Sequence, residues 1–540
     1  MKSKNLLFVA LIIGIFLGAS PLLAYEGGAE PAVDLKKLGK VNFPTSCNAA
    51  VAQEFNRAVA LLHSFWFQES GKAFAAITQA DPGCAMAHWG SAMTLFGNPF
   101  TWPLTGKALA DGWAAVEKAK AAQAKTPRER DYIAAVEAFY KDSATRDHRS
   151  RALAYEQAME KVYLRYPKDS EAAIFYALAL NTTALPTDKT YAQQLKAAAL
   201  LEKVFKTQPH HPGVAHYLIH SYDYPAIAKQ GLPAARLYAG IAPAAPHALH
   251  MPSHIFTRQG FWQEAIDANI ASKNSTADHF DQLHAMDYLM YAYLQTGQYH
   301  QAQLIRDEVL ALKKVNSERF PAAYALAAVA ARYALERNRW ADAAKLTLHP
   351  DEMDYPWASF PQAEAVTVFA RALGSARSGN PAAARKDVQK LETLKNSMIK
   401  QNIPYWPTQT DIQIQIASAW IALAEGKKDE ALTLMRAAAD LEATTEKHPV
   451  TPGPLVPARE LFGEMLLELK QPAQALKEYE GSQQVEPNRF KGWYGAARAA
   501  ELAGDQAKAR RYYANFMTLC AKADGSLPEV RMAREYLAKK

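Results

Sequence analysis

A repeat of 34 residues near the C-terminus constrains the fold of this chain most strongly. Small or aromatic residues recur at this spacing in the pairs Gly463 and Ala497, Ala475 and Ala509, and Tyr479 and Tyr513. Small residues at such positions let two helices touch, aromatic residues fill the gap between units, and a proline such as Pro487 ends a helix. The pattern therefore predicts a stack of helix–turn–helix units.

Weaker copies of this unit extend over most of the chain. A turn glycine or tryptophan followed by a small alanine marks them, at Gly426 and Ala431, Gly379 and Ala384, Trp340 and Ala343, Gly297 and Ala302, and Gly260 and Ala265. The unit resembles the tetratricopeptide repeat (TPR), a 34-residue helix–turn–helix. The resemblance implies an all-α fold, a right-handed TPR-like α-solenoid, and the sequence contains no strand pattern of any length.

The N-terminus has the pattern of a secretory signal peptide. Lys2 and Lys4 precede an apolar run at 6–18, and Ala24 is a suitable last residue before cleavage. The alternative is an uncleaved membrane anchor, because the apolar run approaches the length of a bilayer span if Pro21 is tolerated. We expect an exported protein, periplasmic or secreted, with no membrane span in the mature chain.

Five regions follow from the signal pattern and the repeat phase. They are a signal peptide at 1–24, an N-terminal extension at 25–46, an N-terminal TPR-like array at 47–330, a C-terminal TPR array at 331–523 and a capping helix at 524–540. Loss of the two signal lysines lowers the formal net charge from +7 to +5. This charge is too small and too evenly spread to indicate a nucleic acid partner.

Three cysteines follow the signal peptide. Cys47 lies just before one predicted helix and Cys84 just after the next, so two antiparallel helices would bring them together. In an exported protein such a pair indicates a disulfide. We predict a bridge between Cys47 and Cys84, with Cys520 left as a buried thiol.

Two HxxxH pairs repeat with the period of the fold. His216 and His220 are followed 34 residues later by His250 and His254. Residues four apart share one face of a helix, so each pair presents two imidazoles side by side. The TPR resemblance further implies that these positions lie on the first helix of each unit and face the concave groove.

The same phase adds further groove-facing residues that would bind a ligand or complete a metal site. They are Asp223, His247 and Arg258, then His284, Asp287 and Tyr291 when the next unit is phased on Gly297, and His63 in the first recognisable unit. Neighbouring first helices lie about 8–10 Å apart, so imidazoles from facing helices would reach one ion.

The sequence leaves three interpretations of the histidines open. In the first, His216, His220, His250 and His254 converge on one Zn, Cu, Fe or Ni ion, because neutral imidazole suits all four metals. In the second, imidazolium groups and Arg258 clamp a carboxylate or phosphate ligand. In the third, the histidines only pack helices together.

Two functions are compatible with these patterns. We expect an extracytoplasmic TPR scaffold that binds a protein, a peptide or a small acidic ligand in a His-rich concave groove. The alternative is a metal-dependent enzyme with a histidine-ligated centre in that groove. The sequence contains no HExxH, GxSxG or phosphate-binding glycine loop, so no general base or nucleophile can be named.

Overall fold

The computed structural model describes residues 37–101, 103–525 and 527–539, and every regular element within them is a helix. The helices before the histidine pairs are α1 (Ala52–His63), α2 (Phe67–Ala80), α3 (Ala85–Phe96), α4 (Gly106–Ala121), α5 (Pro127–Tyr140), α6 (His148–Arg165), α7 (Ser170–Thr183) and α8 (Ala192–Phe205). Short 3₁₀ turns lie at Ala49–Val51, Pro99–Thr101, Ala228–Gly231 and Trp357–Ser359. The all-α prediction is confirmed.

The central and C-terminal helices follow the same plan. The central ones are α9 (Pro212–Tyr222), α10 (Leu232–Ile241), α11 (Pro246–His250), α12 (Pro252–Gln259), α13 (Trp262–Asn274), α14 (His279–Gln295), α15 (Tyr299–Leu310), α16 (Phe320–Leu335) and α17 (Trp340–Ala343). The remainder are α18 (Pro361–Arg377), α19 (Pro381–Lys400), α20 (Trp406–Ala424), α21 (Lys428–Ala443), α22 (Ala458–Glu468), α23 (Pro472–Val485), α24 (Phe490–Leu502), α25 (Gln506–Leu519) and α26 (Pro528–Ala538). Successive helices pack on one another along the chain, which is the organisation of a TPR-like α-solenoid.

Small residues let the helices of a unit approach closely. Tyr479 fills the space beside Gly463 and Gly495, where an added Cβ would lie 2.7 and 2.2 Å from its ring. At a turn, Gly260 ends α12 with φ +66°, a conformation that side chains other than glycine rarely adopt. The residues that identify the repeat in the sequence are therefore residues that set the helix spacing.

The first helical pair is closed by a covalent bond. Cys47 and Cys84 form the predicted disulfide, with an S–S distance of 2.02 Å and Cα atoms 4.8 Å apart. Cys520 is a buried free thiol, as expected. The predicted signal peptide lies outside the described residues, and the boundaries between the two repeat arrays stay predictions. Within the described ranges, we find no helix with the length and apolarity required to cross a bilayer.

The C-terminal units return to contact the histidine-bearing units. The indole nitrogen of Trp262 donates a hydrogen bond to the carbonyl oxygen of Asn488 at 2.7 Å. The backbone nitrogen of Asp524 donates to the carbonyl oxygen of Gly297 at 3.0 Å. The concave side of the solenoid is therefore bounded by helices from both halves of the chain.

The connection between α21 and α22, residues 444–457, crosses this concave side. Lys447 in this 444–457 segment reaches Asp223 after α9, and the carbonyl oxygen of Thr451 accepts a hydrogen bond from Tyr288 on α14. Arg332 on α16 donates to the carbonyl oxygens of Gly453 and Pro454. The concave groove expected from the sequence is therefore crossed by the 444–457 segment, through contacts that include one between residues 224 apart in the chain.

Candidate metal centre

Six histidines lie together on helices α9, α11, α12 and α14, and we call them the histidine patch. Its members are His216, His220, His247, His250, His254 and His284. Five of these side chains are no more than 6 % exposed, and His247 is half-buried. The sequence predicted all six as neighbours, and the structure brings them together in the interior instead of on an open surface.

The patch divides into two groups of three imidazoles, each with one ring nitrogen per residue within 4.8 Å of the others. His216, His220 and His247 form the first triad. His250, His254 and His284 form the second triad. Each HxxxH pair therefore gains a third histidine, whereas the sequence suggested four histidines around one ion.

Repeat spacing generates this arrangement across three successive units. Two sets of residues recur every 34 residues. One set is His216, His250 and His284, and the other is His220, His254 and Tyr288. The rings of His250 and His284 lie 4.2 Å apart between centroids, and those of His254 and Tyr288 lie 5.1 Å apart. The 34-residue spacing therefore also brings rings of successive units into contact.

Tyr288 was missed because the phase of its unit was taken from the turn glycine. Gly297 follows Gly260 by 37 residues instead of 34. The three additional residues lie in the C-terminal part of α14, after Tyr288, so they leave the 34-residue spacing of the patch intact. The unbroken spacing from His254 would have identified Tyr288 as the aromatic neighbour.

The first pair is oriented by the end of helix α1. The Nδ1 atom of His216 donates to the carbonyl oxygen of His63 at 2.6 Å. This carbonyl belongs to the last turn of α1, where carbonyl groups lack a partner within the helix. The Nε2 atom of His216 is then left with its lone pair, 3.2 Å from Nε2 of His220.

In the second pair, a hydrogen bond from Nδ1 orients each of the two rings. The Nδ1 atom of His250 donates to Oδ1 of Asn269 at 2.6 Å, and the amide nitrogen of Asn269 donates to the carbonyl oxygen of Ala265. The Nδ1 atom of His254 donates to the Asp223 carboxylate at 3.0 Å. Both Nε2 atoms therefore carry lone pairs, and they face each other at 3.0 Å.

Burial keeps these imidazoles neutral near pH 7. It lowers the pKa of His216 and of His284 to about 3. Burial and neighbouring histidines hold the pKa of His220, His247 and His250 well below the usual range. Neutral imidazole is the form of histidine that binds a metal ion.

Asp223 connects the second pair to two cations. Its carboxylate accepts from Nε of Arg258 at 3.0 Å and from Nζ of Lys447 at 2.6 Å, in addition to His254. Burial favours the neutral acid, but Lys447, Arg258 and His254 hold the pKa of Asp223 well below its usual range. Burial lowers the pKa of Lys447 to about 8 despite this carboxylate. The sequence suggested Asp223 and Arg258 but missed Lys447, which is distant in the chain.

The His63 side chain belongs to a separate hydrogen-bonded cluster. Its Nε2 atom contacts one oxygen of Glu171 at 2.9 Å, and Nε2 of His211 contacts the other at 2.8 Å. Nδ1 of His63 lies 3.0 Å from the Tyr217 hydroxyl. His63 therefore approaches the patch through its backbone carbonyl rather than through its ring.

Asp287 and Tyr291 lie outside the patch, in what we call the arginine cluster. Its ion pairs join Arg332 to Asp287 at 2.9 Å, and Arg489 to Glu336 at 2.6 Å and to Glu460 at 2.7 Å. Arg489 also donates to the Tyr291 hydroxyl at 2.6 Å. These two sequence candidates therefore contact arginines instead of the histidines.

A cavity of about 420 Å³ lies between the 444–457 segment and helices α20 and α21. Tyr324, Tyr405 and Trp406 contribute aromatic walls. Arg258 and Lys447 line the cavity and also contact Asp223, whereas the cavity lining includes no member of the histidine patch. The cavity and the patch therefore share a charged wall.

Comparisons with known proteins add little to this description. No protein-family model and no curated protein matches the sequence. The human IFIT1 dimer with m7Gppp-AAAA is similar at 13% identity over 81% of this chain and 90% of that chain, with a TM-score of 0.39. The APC/C hetero-tetramer Cut9-Hcn1 is similar at 10% identity over 91% of this chain and 97% of that chain, with a TM-score of 0.29. Similarities at this level carry no argument about what the chain binds.

Proposed function

We propose that this chain is an exported metalloprotein whose TPR-like solenoid encloses a transition-metal centre at the histidine patch. The observation that carries the proposal is the pair of Nε2 atoms of His250 and His254, which face each other at 3.0 Å. Both rings already donate through Nδ1, so two lone pairs point at each other in a buried space. A cation between them removes this repulsion.

The geometry around the pair matches the requirements of a metal ligand. Two nitrogens bound at about 2.0–2.1 Å to one tetrahedral ion lie about 3.3 Å apart. Metal-binding histidines almost always donate their other ring nitrogen to a carboxylate or carbonyl, as His254 and His250 do here. His284 supplies a third imidazole, which leaves a coordination position for water or a substrate, as in catalytic sites.

Two competing functions receive less support. A clamp for an acidic ligand needs free positive charge, but Arg258 is already paired with Asp223 and burial keeps the histidines neutral. The concave side, where a peptide would bind, is crossed by the 444–457 segment. We therefore favour Zn, Cu, Fe or Ni in a scaffold over the binding of a peptide along the concave face.

Export remains part of the proposal. The basic and apolar pattern at 1–24 is typical of a signal peptide. The Cys47–Cys84 disulfide suits an oxidising compartment such as the periplasm or the extracellular medium.

Metal analysis of untagged protein tests the proposed function. The wild type, incubated separately with Zn, Cu, Fe and Ni and then dialysed, is expected to retain at least one of these metals in stoichiometric amount. The double variant His250→Ala/His254→Ala is expected to lose the metal of the second triad. The matched control replaces two exposed histidines, His210→Ala/His300→Ala, and should retain wild-type metal content. A wild type that retains none of the four metals refutes the proposal.

A further inference from the structure

The first triad has its own unmatched nitrogen. The Nε2 atom of His247 is buried without a hydrogen-bond partner among the described residues. His216 also directs its Nε2 lone pair inward, because its Nδ1 atom is held by the carbonyl oxygen of His63. An unpaired buried imidazole nitrogen is costly, and a cation within this triad would satisfy it.

Aromatic side chains cover the first triad. The ring of Phe100 stacks on His220 at 4.0 Å between centroids, and the ring of Phe65 stacks on His247 at 5.5 Å. Such a cover offers no polar group to His247 Nε2. The triad is therefore a group of possible metal-ligand nitrogens covered by apolar rings.

The two triads are direct neighbours. The ring centroids of His220 and His254 lie 6.0 Å apart, and those of His247 and His250 also lie 6.0 Å apart. Each triad offers three nitrogens within 4.8 Å of one another, so the six imidazoles present two adjacent three-nitrogen sites. Ions at adjacent sites of this kind can act together on one small ligand.

We propose that the two triads bind two copper ions as one dinuclear centre, with three imidazoles for each ion. This inference rests on the proposed function for the second triad and adds the first triad to it. Each ion would then have an incomplete set of protein ligands, which leaves coordination positions for a small exogenous ligand.

Copper is the metal that we expect an all-imidazole site to bind most tightly. The patch offers neutral imidazole nitrogens, and for nitrogen donors Cu²⁺ binds most tightly in the divalent series. Asp223, the carboxylate that contacts the patch, is already engaged by Arg258 and Lys447 and is not free to bridge two ions. The nearby group of His63, Glu171 and His211 is left out of the proposal, because both oxygens of Glu171 already contact the two imidazoles.

Copper loading combined with electron paramagnetic resonance (EPR) tests the dinuclear centre. Untagged wild type loaded with Cu²⁺ and freed of excess metal is expected to hold two coppers per chain. Its EPR signal should be weaker than its copper content, because two close Cu²⁺ ions couple magnetically. His247→Ala and His284→Ala, which each remove one triad member, should each hold one copper per chain with a full EPR signal.

Three outcomes overturn the inference, and they separate it from the proposed function. One copper per chain in the wild type, lost in His284→Ala but not in His247→Ala, supports the second triad alone. Two coppers with a full, uncoupled EPR signal refute the pairing of the sites. No copper in the wild type, with Zn, Fe and Ni also absent, refutes the proposed function as well. If an alanine variant loses helical circular dichroism, His247→Gln and His284→Gln replace it, and the wild-type measurement decides in any case.

Discussion

The histidine patch and the arginine cluster are both buried beneath the 444–457 segment, but they meet the cost of burying polar groups in different ways. In the arginine cluster every charge faces an opposite charge, as in the contacts of Arg489 with Glu336 and Glu460. In the patch, neutral rings direct lone pairs at one another, as His250 and His254 do. The arginine cluster offsets most of its own charge, whereas the lone pairs of the histidine patch are the basis of the proposed metal site.

Removing an arginine should have the largest effect on stability. Arg489→Ala leaves Glu336 and Glu460 buried without their cation. We expect a loss of about 3–5 kcal/mol in the free energy of unfolding, the usual cost of breaking a buried ion pair from one side. Urea unfolding measures this loss, and metal content per folded chain should stay unchanged. A loss below about 1 kcal/mol would show that the cluster is not structural.

Bound metal should increase the free energy of unfolding through the histidine patch and not through the arginine cluster. At a free copper concentration 100-fold above the dissociation constant, a single site adds about 2.7 kcal/mol to the free energy of unfolding. We expect at least this increase for the wild type and for an exposed-histidine control, His300→Ala. The double variant His250→Ala/His254→Ala should lose the contribution of the second triad. Equal copper stabilisation of all three proteins would contradict the assignment.

Asn269 should act on metal affinity through His250. Asn269→Ala removes the acceptor of His250 Nδ1, and the loss of such a partner typically weakens metal binding about 10–100-fold. Asn269→Asp restores an acceptor oxygen and is expected to bind metal more tightly than Asn269→Ala. Competition against a chelator of known affinity gives both constants. Identical affinities for wild type and Asn269→Ala would remove Asn269 from the site.

Tyr288 should have the smallest effect. Tyr288→Phe removes the hydrogen bond to the carbonyl oxygen of Thr451, at 3.1 Å, and the contact of the hydroxyl with Nε2 of His254, at 3.3 Å. It leaves the three imidazoles of the second triad in place. We expect a loss of about 1 kcal/mol in the free energy of unfolding and an unchanged metal content. If this substitution abolishes metal binding instead, the tyrosine hydroxyl is a ligand and the second triad is incomplete as described.

The sequence was sufficient to predict the helices and the six histidines, because both follow from the 34-residue period. The 34-residue period places His250 and His284 at equivalent positions of successive units, independently of contacts with distant parts of the chain. Asp287 and Tyr291 contact arginines instead, and they were grouped with the histidines because the turn glycine of their unit is displaced by three residues. Unbroken spacing from one histidine to the next is the more reliable guide in this region.

The enclosure of the site could not be read from the repeat. Lys447 reaches Asp223 across 224 residues, and this contact depends on how far the solenoid curves before its halves meet. Small rotations between successive units determine that curvature, and a single repeat motif does not specify them. Asn269 was missed for a different reason, because it lies on the second helix of its unit, outside the groove positions from which candidates were taken.

An anomalous-scattering map of copper-loaded crystals, recorded at the copper absorption edge, tests the central claim most directly. We predict two strong peaks per chain, each about 2.0–2.1 Å from imidazole nitrogens, one at His216, His220 and His247 and one at His250, His254 and His284. A single peak shared by the four HxxxH histidines would support one ion and contradict the dinuclear centre. Peaks confined to exposed histidines, with none in the patch, would contradict the metal centre altogether.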